Sequence, residues 1–370
     1  MTCLNPIEIS MDEWGQELIA PLNNGRYPIS GSIDLTERCN LNCVHCYINQ
    51  PASCEIAKKS ELNTDQVKNI LDRIADAGCL FLVLTGGEPL LRPDFPEIYI
   101  HAKQRGMLVT LFTNAAMVTP KIADLLAASQ PHVVEVTLYG ATESTYEAVT
   151  RVPGSFKRFM RGLDLLFDRG IRVALKAMIL TLNKHELSAM KDLVESYGVE
   201  FRYDGSIFPR LDGSQAPYQY RLSVEEMLAM DLEYPDRAQE WRERSNQFEG
   251  VLVRNDFVFS CGAGLRNFHI DSRGRMSICT MARQPAFDLQ KMSFQEAWSR
   301  LGELRKMKRQ LHTKCETCTV GALCAQCPAW SQMVHGDNET PVEFVCQLGQ
   351  ARAKLFSSEF IRVAEEVKYE

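Results

Sequence analysis

The sequence predicts an α/β protein in which a partial (β/α)6 barrel is followed by a smaller, cysteine-rich C-terminal domain. Between residues 31 and 205, short apolar runs alternate with longer stretches of helical period. This alternation is typical of parallel strands joined by right-handed crossovers. Beyond residue 255, seven cysteines fall within fewer than ninety residues, a density that indicates metal binding in a reducing compartment.

Six apolar runs are predicted as the barrel strands. The connection Thr64–Ala77 has apolar residues at helical spacing, with Thr64 and Asp65 as its N-terminal cap and Gly78 as its stop. Barrel active sites lie at the C-terminal ends of the strands, so we expect the functional residues there. The predicted strands are Ser32–Leu35, Leu80–Thr85, Leu108–Thr113, Val133–Tyr139, Arg172–Ile179 and Glu200–Asp204.

Polar side chains are predicted to face the inside of the barrel. In Val133–Tyr139, the period-2 alternation puts Glu135, Thr137 and Tyr139 on one face and apolar residues on the other. Lys176 is placed in a similar way in the next strand. Polar groups that point inward suit a barrel that holds a ligand.

The alternation of short apolar runs and helical stretches ends near residue 205. We expect a loop over the barrel mouth at 209–220, a mostly solvated helical segment at 223–246, a hairpin within 257–279 and a closing helix at 348–367. The predicted divisions are an N-terminal extension (1–30), the barrel (31–205), a helical connection (206–254), the cysteine-rich domain (255–350) and a C-terminal helix (351–370).

Composition excludes several classes of partner. Of the 370 residues, 45% are hydrophobic and 24% are charged, and the net charge of −6 comes with no long basic run. Nucleic acid is therefore not expected as a partner. The N-terminus has acidic residues where a secretion signal needs basic ones, and no stretch approaches the ~20 apolar residues that span a bilayer. We predict a cytoplasmic protein without a membrane partner.

The first group of cysteines, Cys39, Cys43 and Cys46, forms a CxxxCxxC motif directly after the first strand. A [4Fe–4S] cluster usually takes four cysteines, so three ligands leave one iron open to bind a reactant. A zinc loop is the alternative. His45 lies inside the motif, and we expect it to point away from the metal.

The second strand ends in a glycine-rich turn, Gly86-Gly87-Glu88-Pro89. Paired glycines let the backbone approach a ligand closely, and Glu88 can accept a hydrogen bond from an ammonium group. One βα unit after CxxxCxxC, this turn is a strong signal.

Through Cys39-x3-Cys43-x2-Cys46 and the GGE motif, residues 31–205 resemble the radical S-adenosylmethionine (SAM) superfamily. The resemblance implies that the open iron chelates SAM and that an electron from the cluster cleaves SAM to methionine and a 5′-deoxyadenosyl radical, which abstracts a substrate hydrogen. Asn114, Thr137 and Lys176 can equally be ordinary hydrogen-bonded barrel residues. The implied SAM contacts are Tyr47 near the adenine, Gly86, Gly87 and Glu88 at the methionyl amine, and Asn114, Thr137 and Lys176 at the ribose or carboxylate.

The later cysteines follow the pattern Cys261-x12-Gly274-x4-Cys279, Cys315-x2-Cys318-x5-Cys324-x2-Cys327 and Cys346. A zinc ribbon is the alternative explanation. Two cysteines separated by two residues can bind one metal, but this spacing does not show which metal it is. The pattern resembles the SPASM extension of many radical SAM enzymes, which implies an auxiliary iron–sulfur domain with two further [4Fe–4S] clusters. The implied ligands are Cys315, Cys318, Cys324 and Cys346 for an outer cluster and Cys261, Cys279 and Cys327 for an inner one.

This chain departs from the SPASM pattern at two points. Cys324 and Cys327 are separated by x2 where the family usually has x3, so their assignments can be exchanged. The inner set also has only three cysteines. Asp256, Asn255, His269, water or a substrate thiol can supply its fourth ligand.

Taken together, these patterns predict an oxidoreductase that modifies a residue of a ribosomally made peptide or protein by cross-linking, oxidation or epimerisation. Ferredoxin or flavodoxin is the expected electron donor. One alternative is radical chemistry on a small molecule, namely a sugar, a cofactor or a tetrapyrrole precursor. The other is an electron-transfer or redox-sensing protein, against which the GGEP turn argues because an electron carrier needs no site for the SAM amine.

Overall fold

The computed structural model describes residues 25–48, 50–248 and 256–356. The predicted partial barrel is confirmed, because six strands pair in parallel and in chain order. Each lies within two residues of its predicted bounds. They are β1 (Ser30–Thr36), β2 (Phe81–Gly86), β3 (Leu108–Thr113), β4 (Val133–Thr137), β5 (Val173–Met178) and β6 (Phe201–Asp204).

The C-terminal part adds three strands to the same sheet. The predicted hairpin is present, with β7 (Asn267–Ile270) antiparallel to β8 (Arg275–Ser277) and β8 antiparallel to β9 (Phe287–Asp288). β7 also pairs in parallel with β1, giving the order β9-β8-β7-β1-β2-β3-β4-β5-β6. The hairpin therefore continues the barrel wall next to the strand that leads into the first cysteine motif.

Helices connect these strands and cover the sheet. The N-terminal cap of the helix at Thr64–Asp76 is Asn63, one residue earlier than predicted, and its side chain accepts a hydrogen bond from the Gln66 amide. The helices are α1 (Glu55–Ser60), α2 (Thr64–Asp76), α3 (Phe95–Gln104), α4 (Pro120–Ala128), α5 (Glu143–Thr150), α6 (Ser155–Phe167), α7 (Leu187–Tyr197), α8 (Val224–Glu233), α9 (Pro235–Phe248), α10 (Phe294–Arg305), α11 (Pro328–His335) and α12 (Glu343–Phe356).

The segment predicted as one solvated helix at 223–246 is divided into α8 and α9, because Pro235 cannot continue the hydrogen-bond ladder of α8. It is also less solvated than predicted. Asp231 of α8 is fully buried and accepts hydrogen bonds from Arg237 of α9 and Arg352 of α12. The closing helix α12 begins before the predicted start, and residues 357–367 of that prediction lie outside the described residues.

The hydrophobic core lies between the outer face of the sheet and the helices. Val134 and Val136 on β4 are fully buried, while Glu135 and Thr137 between them face the inside of the barrel. This alternation confirms the predicted polar interior. No helix in the described part of the chain is long and apolar enough to cross a membrane.

Candidate active site

The first cysteine motif lies on the loop that follows β1. Backbone amides of Asn42 and Val44 donate to the carbonyls of Thr150 and Val149 at the C-terminal end of α5, at 3.0 Å each. These bonds seat the loop on the barrel. They hold the thiols of the motif at the C-terminal ends of the strands, where a barrel active site is expected.

The three thiols lie in an environment that suits a metal cluster. Burial, aided by nearby Glu88, raises the pKa of the Cys39 thiol to about 12, and burial also raises the pKa of Cys43 well above its usual value. Cys39 Sγ nevertheless receives hydrogen bonds from the Leu41 amide (3.4 Å) and Asn114 Nδ2 (3.7 Å). Thiolates need compensating positive charge when buried, and iron supplies it. The residues therefore fit an iron–sulfur cluster.

The paired glycines pack against the protein backbone. A Cβ on Gly86 would lie 2.1 Å from the Thr36 carbonyl oxygen, and one on Gly87 would lie 2.1 Å from that of Arg38. Gly86 also has φ +129°, which a side chain would strain. Gly87 N donates to Thr36 at 2.7 Å and Glu88 N to Arg38 at 2.9 Å. The turn thus fixes the chain that leads into the cysteine loop.

Glu88 is fully buried, and its carboxylate points into the turn. Oε1 accepts hydrogen bonds from Leu90 N (3.1 Å) and Thr113 Oγ1 (2.8 Å), and Oε2 accepts one from Asn114 N (2.9 Å). Burial raises the pKa of Glu88 to about 7 despite these bonds. Glu88 is not among the residues that line the pocket described below. The geometry favours a carboxylate that positions Asn114, and the direct contact with SAM stays a prediction.

A cavity of about 570 Å³ opens at the C-terminal ends of the barrel strands. Nine of the ten cluster and SAM residues predicted in the barrel line it, Glu88 being the exception. The nine are Cys39, Cys43, Cys46, Tyr47, Gly86, Gly87, Asn114, Thr137 and Lys176.

Asn114 is held toward the cysteine loop. Its Nδ2 donates to Asn40 Oδ1 at 2.8 Å in addition to Cys39, and its Oδ1 accepts from Ala116 N at 3.0 Å. Ala115, the next residue, has φ +59°, a left-handed conformation that is uncommon for non-glycine residues. Side-chain contacts thus tie Asn114 to the ligand loop as well as to the pocket.

Lys176 crosses the barrel interior. Its Nζ donates to Glu135 Oε2 at 3.2 Å and lies 3.0 Å from the centroid of the Phe112 ring. Burial lowers the pKa of Lys176 to about 8, although Glu135 opposes the shift. Arg202 donates to the other oxygen of Glu135.

That His45 points away from the metal stays a prediction. His45 lines the cavity, and its ring centroid lies 5.4 Å from that of Tyr139. Burial lowers the pKa of His45 to about 4, so the imidazole is neutral at pH 7.

Other lining residues were missed because they come from segments that carry no motif. Arg202 and Asp204 line the cavity from β6, Phe208 from the loop that follows it, and Met281 from the C-terminal part. The alternation of Arg202 and Asp204 along β6 was an available signal. The loop at 209–220 passes the site as predicted, because Leu211 N donates to the Tyr47 carbonyl at 3.0 Å.

The C-terminal cysteines fall into two groups. Burial raises the pKa of Cys324 to about 12, and Cys346, Cys315 and Cys318 are close enough to raise it further. Burial also raises the pKa of Cys327, and the neighbouring thiols that contribute are Cys279 and Cys261. These neighbours are those that the SPASM resemblance implies for Cys324 and Cys327, and the two ligand sets stay a prediction.

His269 lies against Ser32 and Asp34 of β1, and its role as the fourth ligand of the inner group stays a prediction. Its Nδ1 lies 2.9 Å from Ser32 Oγ and its Nε2 lies 3.4 Å from Asp34 Oδ2. Asp256 is exposed, and Asn255 lies outside the described residues. Within those residues, no three His, Cys, Asp or Glu side chains converge closely enough to hold a single metal ion. A cubane site is wider than a single-ion site, because each cysteine binds a different iron.

Comparison with known proteins places this geometry in context. Residues 33–196 match the family model described as the Radical SAM superfamily. The chain is 26% identical over 324 residues to AdoMet-dependent heme synthase of Methanosarcina barkeri, an alignment that covers 82% of this chain and 92% of the relative. It is 34% identical over 176 residues to mycofactocin maturase MftC of Mycobacterium tuberculosis, covering 47% of this chain and 44% of the relative.

The overall fold also resembles a solved structure, native anSMEcpe with bound AdoMet. The TM-score is 0.67 at 15% identity, and the match covers 92% of this chain and 100% of that one. A second structure of that protein holds AdoMet and the Cp18Cys peptide.

Proposed function

The chain belongs to the radical SAM superfamily, and we propose that its substrate is a ribosomally made peptide or protein in which it cross-links, oxidises or epimerises a residue. The main support for this proposal is that cations in the cavity wall are already paired with a carboxylate. Lys176 and Arg202 both donate to Glu135, and Asp204 adds a second carboxylate. A substrate with many carboxylates requires unpaired cations, whereas a peptide side chain does not.

The size of the cavity also supports a peptide. Pockets that hold one small ligand occupy about 300–1,000 Å³, and here about 570 Å³ has to accommodate the cofactor as well as the reacting group. A peptide can insert a single side chain and leave the rest of its chain outside.

The proposal assigns three clusters to ten cysteines. The barrel motif would hold the SAM-binding cluster, with Gly86, Gly87, Asn114, Thr137, Lys176 and Tyr47 around SAM. When bound, the cluster and SAM supply reductive cleavage of SAM and a radical that abstracts hydrogen. Cys315, Cys318, Cys324 and Cys346 would hold the outer auxiliary cluster, and Cys261, Cys279 and Cys327 the inner one. Ferredoxin or flavodoxin is the proposed electron donor.

Relatives support two substrate classes. MftC is a maturase, and a structural neighbour holds a peptide. The heme synthase of M. barkeri favours a tetrapyrrole as the second candidate, because it matches over 92% of its own length while MftC matches over 44%. That candidate would require carboxylate-bearing porphyrin side chains to displace Glu135 from its two cations.

Deuterium transfer separates the two candidates. Protein reconstituted anaerobically would be given SAM, dithionite and the peptide fraction of deuterated cells that carry the gene. We expect deuterium in 5′-deoxyadenosine, and we expect pronase digestion of the fraction to abolish it. Transfer that survives digestion, or turnover of a deuterated iron porphyrin instead, would overturn the peptide proposal in favour of a small molecule.

A further inference from the structure

A buried charged cluster lies where β7 joins the barrel. Asp34 on β1 is fully buried, and Arg283 Nη2 lies 2.8 Å from its Oδ2. His269 on β7 is 1% exposed and places Nε2 at 3.4 Å from the same oxygen. Within the described residues, no hydrogen bond of suitable geometry reaches either carboxylate oxygen of Asp34, His269 Nε2 or Arg283 Nη2. Charge therefore holds this carboxylate more than directional hydrogen bonds do.

Two members of the cluster are close in the chain to two groups of cysteines. Asp34 precedes Cys39 by five residues, and Arg283 follows Cys279 by four. The intervening residue Met281 lines the cavity, and Arg283 Nε donates to the Thr280 carbonyl at 2.8 Å, which ties the guanidinium to this segment. Met281 shares the wall of this cavity with Cys46 and Tyr47.

We propose that Asp34 is a positioning residue for SAM cleavage, which acts through Arg283 to hold segment 279–283 against the Cys46–Tyr47 end of the cysteine loop. In this arrangement, the charges of Asp34 and Arg283 act on both the inner cysteines and the SAM site. This inference rests on the proposed function in one respect, namely that both groups of cysteines carry clusters. In a poorly solvated region, a charge placed beside a cluster changes the energy of adding an electron to it.

Two substitutions of opposite charge effect test this role. Asp34→Asn removes a negative charge and leaves Arg283 unpaired, so the midpoint potential of the SAM-binding cluster should rise. Arg283→Gln removes the positive charge at a partly exposed position, and the potential should fall. Each potential would be measured by titration monitored by electron paramagnetic resonance (EPR) on the reconstituted full chain, with and without SAM.

Asp231→Asn is the matched control. Asp231 is also fully buried and paired with two arginines, but these, Arg237 of α9 and Arg352 of α12, do not belong to the segment that follows Cys279. It should lower the unfolding temperature without moving the potential of the SAM-binding cluster. Shifts of the same sign in Asp34→Asn and Arg283→Gln, or an equal shift in Asp231→Asn, would reduce the cluster to a structural ion pair and overturn the proposal.

The iron content of the unmodified protein keeps the two proposals distinguishable. About four irons instead of about twelve would remove the proposed auxiliary clusters. The opposite shifts at the SAM-binding cluster would still be measurable, so they would still decide whether Asp34 and Arg283 act on it. If Asp34→Asn does not fold, Arg283→Gln alone still has to lower the potential.

Discussion

The two cysteine regions of this molecule are built in different ways. In the barrel, Cys39, Cys43 and Cys46 lie on one short loop that hydrogen bonds to the end of α5. In the C-terminal part, each group is assembled from distant segments, and Cys324 comes close to Cys346 only because α12 packs against the short turn before Cys324. The first site is encoded locally, whereas the second depends on tertiary packing.

The difference extends to what surrounds the thiols. Asn114 and the Leu41 amide donate to Cys39, and Glu88 fixes Asn114 from behind. Around the outer group, Gln326 Nε2 donates to Cys346 Sγ at 3.2 Å. Its position between Cys324 and Cys327 places the donor inside the shortened x2 spacing. Gln326, one of the two residues in this shortened spacing, therefore contacts a cysteine of the outer group.

The largest effect should come from removing the local site. Replacing Cys39, Cys43 and Cys46 together with Ala should abolish dithionite-dependent cleavage of SAM and leave about eight irons in the auxiliary domain. Cys79→Ala is the control, because Cys79 is buried and stands apart from both regions. Normal production of 5′-deoxyadenosine by the triple variant would remove the proposed mechanism.

The grouping of the C-terminal cysteines can be tested by pairs. If Cys324 and Cys346 share a cluster, the double Ala variant should lose about four irons, no more than either single variant. Cys324→Ala combined with Cys327→Ala should lose about eight. Should the first pair also lose about eight, the assignments of Cys324 and Cys327 would be exchanged.

Glu88→Ala should weaken SAM binding by roughly 1–3 kcal/mol, since Asn114 N and Thr113 Oγ1 lose a buried acceptor. Equilibrium binding of SAM to the reconstituted protein measures this. Glu186→Ala is a matched control, because Glu186 is also buried and accepts several hydrogen bonds, but its donors Ala141, Thr142 and Thr145 do not line the cavity. Equal weakening in both variants would indicate general destabilisation.

A smaller, spectroscopic effect is expected at the inner group. With three cysteines and His269 turned toward Asp34, the inner cluster should keep an exchangeable position that a substrate thiol can occupy. Adding a thiol-bearing peptide to the reduced triple variant should then change its EPR spectrum. An unchanged spectrum, together with a spectrum altered by Asp256→Ala, would mean that Asp256 closes the site.

The barrel strands and the barrel cysteine site could be predicted from the sequence, because each is encoded in a short contiguous segment. Strand positions follow from period-2 alternation, and the barrel ligands follow from one contiguous motif. The joining of β7 to β1 could not be predicted, because it pairs residues such as Ser32 and His269 that are far apart in the chain. The inward turn of Glu88 was missed for a similar reason: its partners Thr113 and Asn114 belong to the next strand end.

We propose that the ten cysteines divide into one local and two assembled sites, and that each site holds a cubane. The most direct measurement is the iron, sulfide and zinc content of the anaerobically reconstituted full chain, with Mössbauer spectroscopy to identify the clusters. We predict about twelve irons and twelve sulfides per chain, all in [4Fe–4S] clusters. About four irons with stoichiometric zinc would contradict the claim for the C-terminal region and leave only the barrel site.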